Sequence, residues 1–319
     1  MVERRFWGGW ILAILLLTLL LAACGGAAPG SPENGTGSGE TGNSEYPLVV
    51  EDAVGRKVEI GSRPERLGSM APSVTETIFA VGAGERISGV TTADDYPPEA
   101  KEIESIGDYR EPNVEKVLAL EIDLLFISFD SATAEAAEEL ERKTKATVVV
   151  INPKTVDEAV SSVGLVGRIV GEREKASALE GRLRGDLEEV ENAVAGQPRP
   201  TVFYEVWDDP LQTVGPGSFI HDAIEQAGGR NIAADTGQAY PSYSEETLLK
   251  KDPDYYLISS TTPEELEKRP AYASLTAVER GQVSVVDPDL VTRPGPRVVE
   301  GVRRIAESIH PEAFQKEAA

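Results

Sequence analysis

The chain has 319 residues, with 54 acidic against 31 basic side chains, a formal net charge of −23, 40% hydrophobic residues and a single cysteine. Such a negative charge repels nucleic acid, so no nucleic-acid partner is expected, and one cysteine excludes an internal disulfide. The hydrophobic fraction is enough to build cores, and about 270 residues beyond the N-terminal segments suit two domains.

Arg4 and Arg5 precede an uncharged apolar run from Phe6 to Ala23. A positive end, an apolar core and small residues before a cut are the marks of an export signal. The competing reading is an uncleaved membrane helix, since about 18 apolar residues nearly span a bilayer. Leu21-Ala22-Ala23-Cys24 resembles the lipobox of bacterial lipoproteins, in which the cysteine is lipidated and becomes the new N-terminus. That resemblance makes residues 1–23 a lipoprotein signal peptide and Cys24 the lipidation site. Residues 24–46 are rich in Gly, Ser, Thr and Asn with little to bury, which reads as a flexible tether from a membrane anchor to a folded body at the extracytoplasmic face.

Residues 47–171 read as an N-terminal α/β lobe. A weak strand over Arg66–Met70 is followed by Ser73, a candidate cap for a helix over Val74–Val81, and then by a strand over Ile87–Val90. Thr155-Val156-Asp157-Glu158 has the form of a capping box. Valines at positions 156, 160, 163, 166 and 170 follow it. After Gly171 the apolar stripe resumes at Ala176, Leu179, Leu183, Leu187, Val190 and Val194, and Gly196-Gln197-Pro198 stops it. The spacing predicts a connecting helix within 172–196, roughly 36 Å long at about 1.5 Å per residue. Residues 197–319 read as a C-terminal α/β lobe.

The segments flanking this helix resemble each other. Glu115 to Ser128 and Glu246 to Ser259 each read as a short helix opened by glutamate, a turn at aspartate and a strand ending in Ile-Ser. Thr147 to Pro153 and Val283 to Pro288 form a second pair, and Phe79 to Gly84 with Glu225 to Arg230 a weaker third. The pattern predicts an α/β protein of two similar lobes, each with a mostly parallel sheet, joined by one long interdomain helix. One stiff connection also implies little closure between the lobes.

Several stretches together resemble the substrate-binding lipoproteins of ABC importers for iron chelates and cobalamin, the helical-backbone periplasmic-binding class. In the first half they are Pro72-Ser73-Val74-Thr75-Glu76, Asp95-Tyr96-Pro97-Pro98 and Glu111-Pro112-Asn113-Val114-Glu115. In the second half they are Tyr240-Pro241-Ser242-Tyr243-Ser244-Glu245-Glu246 and Arg293-Pro294-Gly295-Pro296-Arg297. The likeness runs from about Val54 to Ile309 and lies in the order and spacing of the motifs. It implies a protein that captures a metal chelate as cargo, without a resident cofactor and without enzymatic activity. Its partners would be an ABC permease dimer with its ATPase. A ferric siderophore, haem and cobalamin all remain open as ligands, because Ala93 stands where cobalamin-binding members place an aromatic residue.

The resemblance further implies that Glu115 and Glu246 dock on the permease through arginine clusters. A carboxylate in a first helical turn is also an ordinary helix-dipole partner. For the interlobe cleft it points to Tyr109, Phe129, Trp207, Tyr240 and Tyr243 as aromatic walls, with Asp289 and Arg293 as charged contacts; for Arg293 a salt bridge is the alternative. The two histidines, His221 and His310, form no ligand-spaced cluster, so no bare-metal site is expected. A lipid-anchored envelope hydrolase using paired carboxylates is the rival function, and ligand-induced quenching of Trp207 fluorescence without turnover would separate the two.

Overall fold

The structure, a computed structural model, describes residues 45–108, 110–128 and 132–315. The signal peptide, Cys24, most of the tether, Tyr109 and Phe129 lie outside these residues. Among the described residues no helix is long and apolar enough to cross a membrane.

In the first half, strands β1 (Leu48–Glu51) and β2 (Lys57–Ile60) pair antiparallel. β3 (Leu67–Ser69), β4 (Ile87–Gly89), β5 (Leu124–Ile127) and β6 (Thr147–Val150) form an all-parallel sheet in the order β4-β3-β5-β6. Its helices are α1 (Pro72–Ala80), α2 (Val114–Ala119) and α3 (Ala134–Thr144). Helices α4 (Val156–Ile169) and α5 (Arg173–Val194) follow, and Gly171, at φ 73°, makes the turn between them.

The second half contains β7 (Thr201–Asp208), β8 (Leu211–Thr213), β9 (Arg230–Asn231), β10 (Tyr255–Ile258) and β11 (Val283–Val285). β9, β7, β10 and β11 run parallel in that order, and β8 pairs antiparallel with the distal half of β7. Its helices are α6 (Phe219–Gln226), α7 (Glu245–Lys251), α8 (Pro263–Glu267), α9 (Thr276–Glu279), α10 (Pro288–Val291), α11 (Val298–Ile309) and α12 (Pro311–Phe314). Apart from β8, the strand order repeats that of the first sheet, as the paired segments imply. The two sheets are separate.

Alternation along the strands explains the layering, because successive side chains point to opposite faces. Leu124, Phe126 and Val149 face one core, whereas Leu125, Ile127, Val148 and Val150 face another. In the second sheet Val202, Tyr204 and Leu257 join the first of these cores, and Phe203, Tyr256 and Ile258 form a third. The shared core therefore runs from one sheet to the other through α1, α4, α5, α6 and α11. The long helix α5 joins the two halves as the pattern predicts, and it packs along α4 and against α11. Its stripe of Ala176, Leu179, Leu183, Leu187 and Val190 is buried by those neighbours, as the periodicity predicts.

Two local expectations shift. α1 begins at Pro72, with Ala71 as its uncapped start, so Ser73 is buried inside the helix and does not cap it. Proline is well suited to a first helical turn because its missing N–H is unneeded there. At α4, Thr155 accepts from the Glu158 amide at 3.1 Å as expected, but the Glu158 carboxylate reaches back to the Lys154 amide at 2.7 Å, one residue beyond the usual partner.

Gly167 on α4 faces Ala176 on α5 so closely that an added Cβ would stand 2.0 Å from the Ala176 Cβ. A side chain there must push the helices apart. Gly167→Ala is expected to destabilise the fold by about 1–3 kcal/mol, the usual range for overpacking, as read from the urea midpoint.

Candidate functional site

In a parallel sheet, ligands meet the loops that leave the C-terminal ends of the strands. The structure brings those edges of the two sheets against each other. From the first lobe, β3 leads into α1 and β4 leads into the segment carrying Asp94, Asp95 and Tyr96. From the second, β11 leads through α10 to Arg293 and Arg297, and β7 ends at Trp207 and Asp208.

Contact across the lobes centres on Glu76, a residue of α1 that is 3% exposed. The Arg297 guanidinium donates to both its carboxylate oxygens, Nε to Oε2 at 2.8 Å and Nη2 to Oε1 at 2.6 Å. Arg293 Nη1 lies 3.5 Å from the same Oε1, donates to Asp95 Oδ1 at 2.6 Å, and its Nη2 is 3.0 Å from Asp289 Oδ1. The Arg297 guanidinium also lies over the Tyr96 ring at 4.1 Å. Between the two arginines, Gly295 approaches the α1 backbone so closely that a Cβ would stand 2.8 Å from the Ser73 carbonyl oxygen. Only glycine permits that approach.

The electrostatics follow from these contacts. The hydrogen bond from Arg293 holds the Asp95 carboxyl below its ordinary value. Burial pushes the neighbouring Asp94 carboxyl up, against the hydrogen bonds it accepts from the Thr91 amide and hydroxyl. On the second lobe, burial pushes the Tyr204 hydroxyl up to about 12.

The expected aromatic walls divide. Trp207 is 54% exposed at the end of β7, its indole N–H donating to the Asp209 carbonyl at 3.0 Å. Tyr240, 50% exposed, lies on a segment hydrogen-bonded antiparallel to β8. Tyr243 is different: its ring packs on Phe203 at 5.3 Å between centroids, against the outer core of the second sheet, and its hydroxyl is buried. It belongs to the core because the β8-pairing segment turns alternate side chains inward, and it is withdrawn as a cleft wall. Asp289 and Arg293 are at the cleft but paired with each other, so the salt-bridge alternative describes Arg293 as it stands here. Glu76, Asp95, Tyr96 and Arg297 had no assigned role from sequence. Glu76 and Tyr96 lie in motifs already singled out, but an ion pair spanning 221 residues leaves no local signal.

Glu115 and Glu246 occupy equivalent places. Each is the second residue of its helix, after a cap in which Asn113 accepts from the Lys116 amide at 3.1 Å or Ser244 accepts from the Thr247 amide at 3.4 Å. Both are exposed. Among the described residues neither carboxylate is held in an ion pair or a side-chain hydrogen bond. Glu245, one residue earlier, differs, accepting from the Tyr272 hydroxyl at 3.2 Å. Because α2 and α7 precede β5 and β10 in right-handed parallel crossovers, their N-termini lie at the strands' C-terminal edges, the cleft side.

Other features are structural. His221 meets the Asn231 amide at 3.1 Å and His310 faces the Gly228 carbonyl at 3.3 Å. Among the described residues no cluster of three or more His, Cys, Asp or Glu is placed to hold a metal ion. A cavity of about 760 Å³ lies between β2 and α3, away from the cleft; its lining Arg56 pairs with Glu141, also in the lining, at 3.4 Å and with Asp52 behind it at 2.8 Å.

A family model described as a periplasmic binding protein matches residues 69–290. The chain is 33% identical over 312 residues to a Bacillus subtilis protein named uncharacterized ABC transporter substrate-binding lipoprotein YvrC, covering 95% of this chain and 97% of that one. It is 29% identical over 314 residues to a cobalamin-binding protein of Halobacterium salinarum, covering 94% and 84%. The crystal structure of the periplasmic vitamin B12 binding protein BtuF of Vibrio cholerae matches with a TM-score of 0.69 and 27% identity, over 79% of this chain and 99% of that one.

Breaking a buried pair strands the remaining charge. Arg297→Ala is therefore expected to cost about 3–5 kcal/mol in urea unfolding, whereas the paired change Glu76→Leu with Arg297→Leu costs less than the single substitution. A double variant less stable than Arg297→Ala would remove the charge-burial explanation.

Proposed function

The chain belongs to the periplasmic binding protein family, and from that premise we propose that it is a membrane-anchored extracytoplasmic receptor that captures a metal chelate and delivers it to an ABC permease. The observation carrying this reading is the cleft between two similarly built lobes, with exposed aromatic rings of Tyr96, Trp207 and Tyr240. Flat apolar faces over a floor of paired charges suit a large chelate with hydrophobic faces better than a bare ion. The names of the Bacillus, Halobacterium and Vibrio relatives support the class. The carboxylates on the cleft floor are held by arginines, which favours binding over paired-carboxylate hydrolysis. The lipobox at Cys24 supports anchoring, and Tyr109 and Phe129 stay as proposed cleft contacts from the first lobe.

In this reading Glu115 and Glu246 each offer an exposed carboxylate to arginines of one permease subunit, and Glu245 is excluded by its contact with Tyr272. Their shared position in the two lobes fits a permease dimer with one contact per subunit.

The test combines binding and transport. Tryptophan fluorescence with a panel of ferric siderophores, haem and cobalamin should show at least one saturable quench with the chelate recovered intact; hydrolysis of a glycan or ester with no quench would favour the hydrolase. Glu115→Ala with Glu246→Ala should leave that binding unchanged and lower uptake more than either single change. A desolvated contact would cost about 2–5 kcal/mol and an exposed one about 1 or less, so the size of the loss reports burial at the docked interface. Undiminished uptake would reduce both residues to helix caps. Cys24→Ala should release the folded protein from the membrane fraction.

A further inference from the structure

Cationic side chains in a cleft ordinarily attract acidic ligands. Here they are already occupied. On the cleft floor three carboxylates, Glu76, Asp95 and Asp289, face two guanidinium groups, Arg293 and Arg297. Arg297 is bound on one edge by both oxygens of Glu76 and covered on one face by Tyr96. Arg293 has 15% of its side chain exposed and is ringed by Asp95, Asp289 and Glu76. The buried Asp94 stands one residue from Asp95. Lys101, on the exposed turn beyond Pro97, forms no ion pair with Asp95 among the described residues.

An anionic ligand entering this floor meets surplus negative charge and must displace a carboxylate to reach a guanidinium. Of the three, Asp95 is the one that can yield. Its side chain is 46% exposed and it holds Arg293 by one 2.6 Å hydrogen bond, whereas Glu76 is buried and bidentate. Asp95 and Arg293 also come from opposite lobes, so the pair lies where a ligand would bridge them.

We propose that Asp95 is a specificity-determining residue: by occupying Arg293 it makes the cleft select chelates without net negative charge, such as amide-rimmed corrinoids or neutral ferric trihydroxamates, over acidic ones. The proposal rests on the chelate-binding reading above and narrows it. The same pairing that tightens the interlobe contact removes the positive charge that carboxylates or catecholates would need.

The test uses ligand pairs matched in shape and different in charge. These are cyanocobalamin against its monocarboxylic acid hydrolysis product, and a neutral ferric trihydroxamate against a ferric tricatecholate. Binding to the full folded body is measured by fluorescence titration or calorimetry. For whichever pair binds, the neutral member should bind roughly tenfold or more tightly than the anionic one, the scale of one charge-assisted contact. Asp95→Asn should shrink that ratio by freeing Arg293, and adding Arg293→Ala should restore it, since the liberated guanidinium is then gone. Asp289→Asn, which releases the same guanidinium from its other carboxylate, should move the ratio in the same direction and serves if Asp95→Asn fails to fold. Equal or tighter binding of the acidic member by the unaltered protein would overturn the proposal, as would a ratio unmoved by both substitutions. If none of these chelates binds and haem does not bind either, the chelate-receptor reading itself falls; if acidic chelates bind best, that reading stands and only the charge selection fails.

Discussion

The ion pair between Glu76 and Arg297 sets the conditions for the rest of the molecule. A carboxylate with almost no solvent contact is tolerable only if its charge is matched and its lone pairs are filled, and the bidentate guanidinium does both. That requirement fixes the 293–297 segment against α1, with Gly295 allowing the backbones to touch. α11 starts at the next residue, Val298, and its face of Val298, Val302, Ile305 and Ile309 is set down against α4, α5 and α6. One polar contact at the cleft thus positions the helix that closes the shared core. The lobes are similar in strand order but not independent in packing.

This arrangement links fold to function through direction. Parallel strands with preceding helices put three things on one edge: strand-end loops, helix N-termini and the interlobe junction. The aromatic rings of Trp207 and Tyr240, the charge cluster and the two exposed glutamates lie on that edge for the same geometric reason. The proposed function, holding a ligand and presenting it to a dimeric permease, would use that shared edge. The shared core between the lobes is the basis for expecting the cleft to keep one shape before ligand arrives, which would lower the ordering cost of binding.

Much of this was legible in the chain, and the limits have physical causes. The paired segments foretold the repeated sheets because buried parallel strands and amphipathic helices leave strong periodic signals, as at Leu124 to Ile127 and along α5. The break at Gly171 and the cap at Thr155 were equally local. The β1–β2 hairpin, by contrast, carries a readable alternation in Val50, Val58 and Ile60. β8 was harder, since three residues before a second extended segment give no periodicity. The motifs around Glu76 and Arg297 were noted as motifs, yet nothing local says that a glutamate in α1 seeks an arginine beyond α10. Tyr243 misled because a proline-bearing polar loop suggests exposure, while pairing with β8 turns its ring inward. Sequence patterns report faces and turns; long-range charge pairing emerges only when the lobes meet.

The central claim is that the shared helical layer and the Glu76–Arg297 contact make the two lobes one preformed frame around the cleft. The most direct test is the interlobe distance by double electron–electron resonance. Spin labels would be placed at Glu138 on α3 and Glu267 on α8, both exposed and on opposite lobes, in a soluble variant without Cys24, with and without a bound chelate. A single narrow distance that moves by less than about 2 Å on ligand binding is the expected result, in keeping with preorganised recognition. A broad distribution without ligand that collapses to a much shorter distance with it would show hinged lobes and contradict the account.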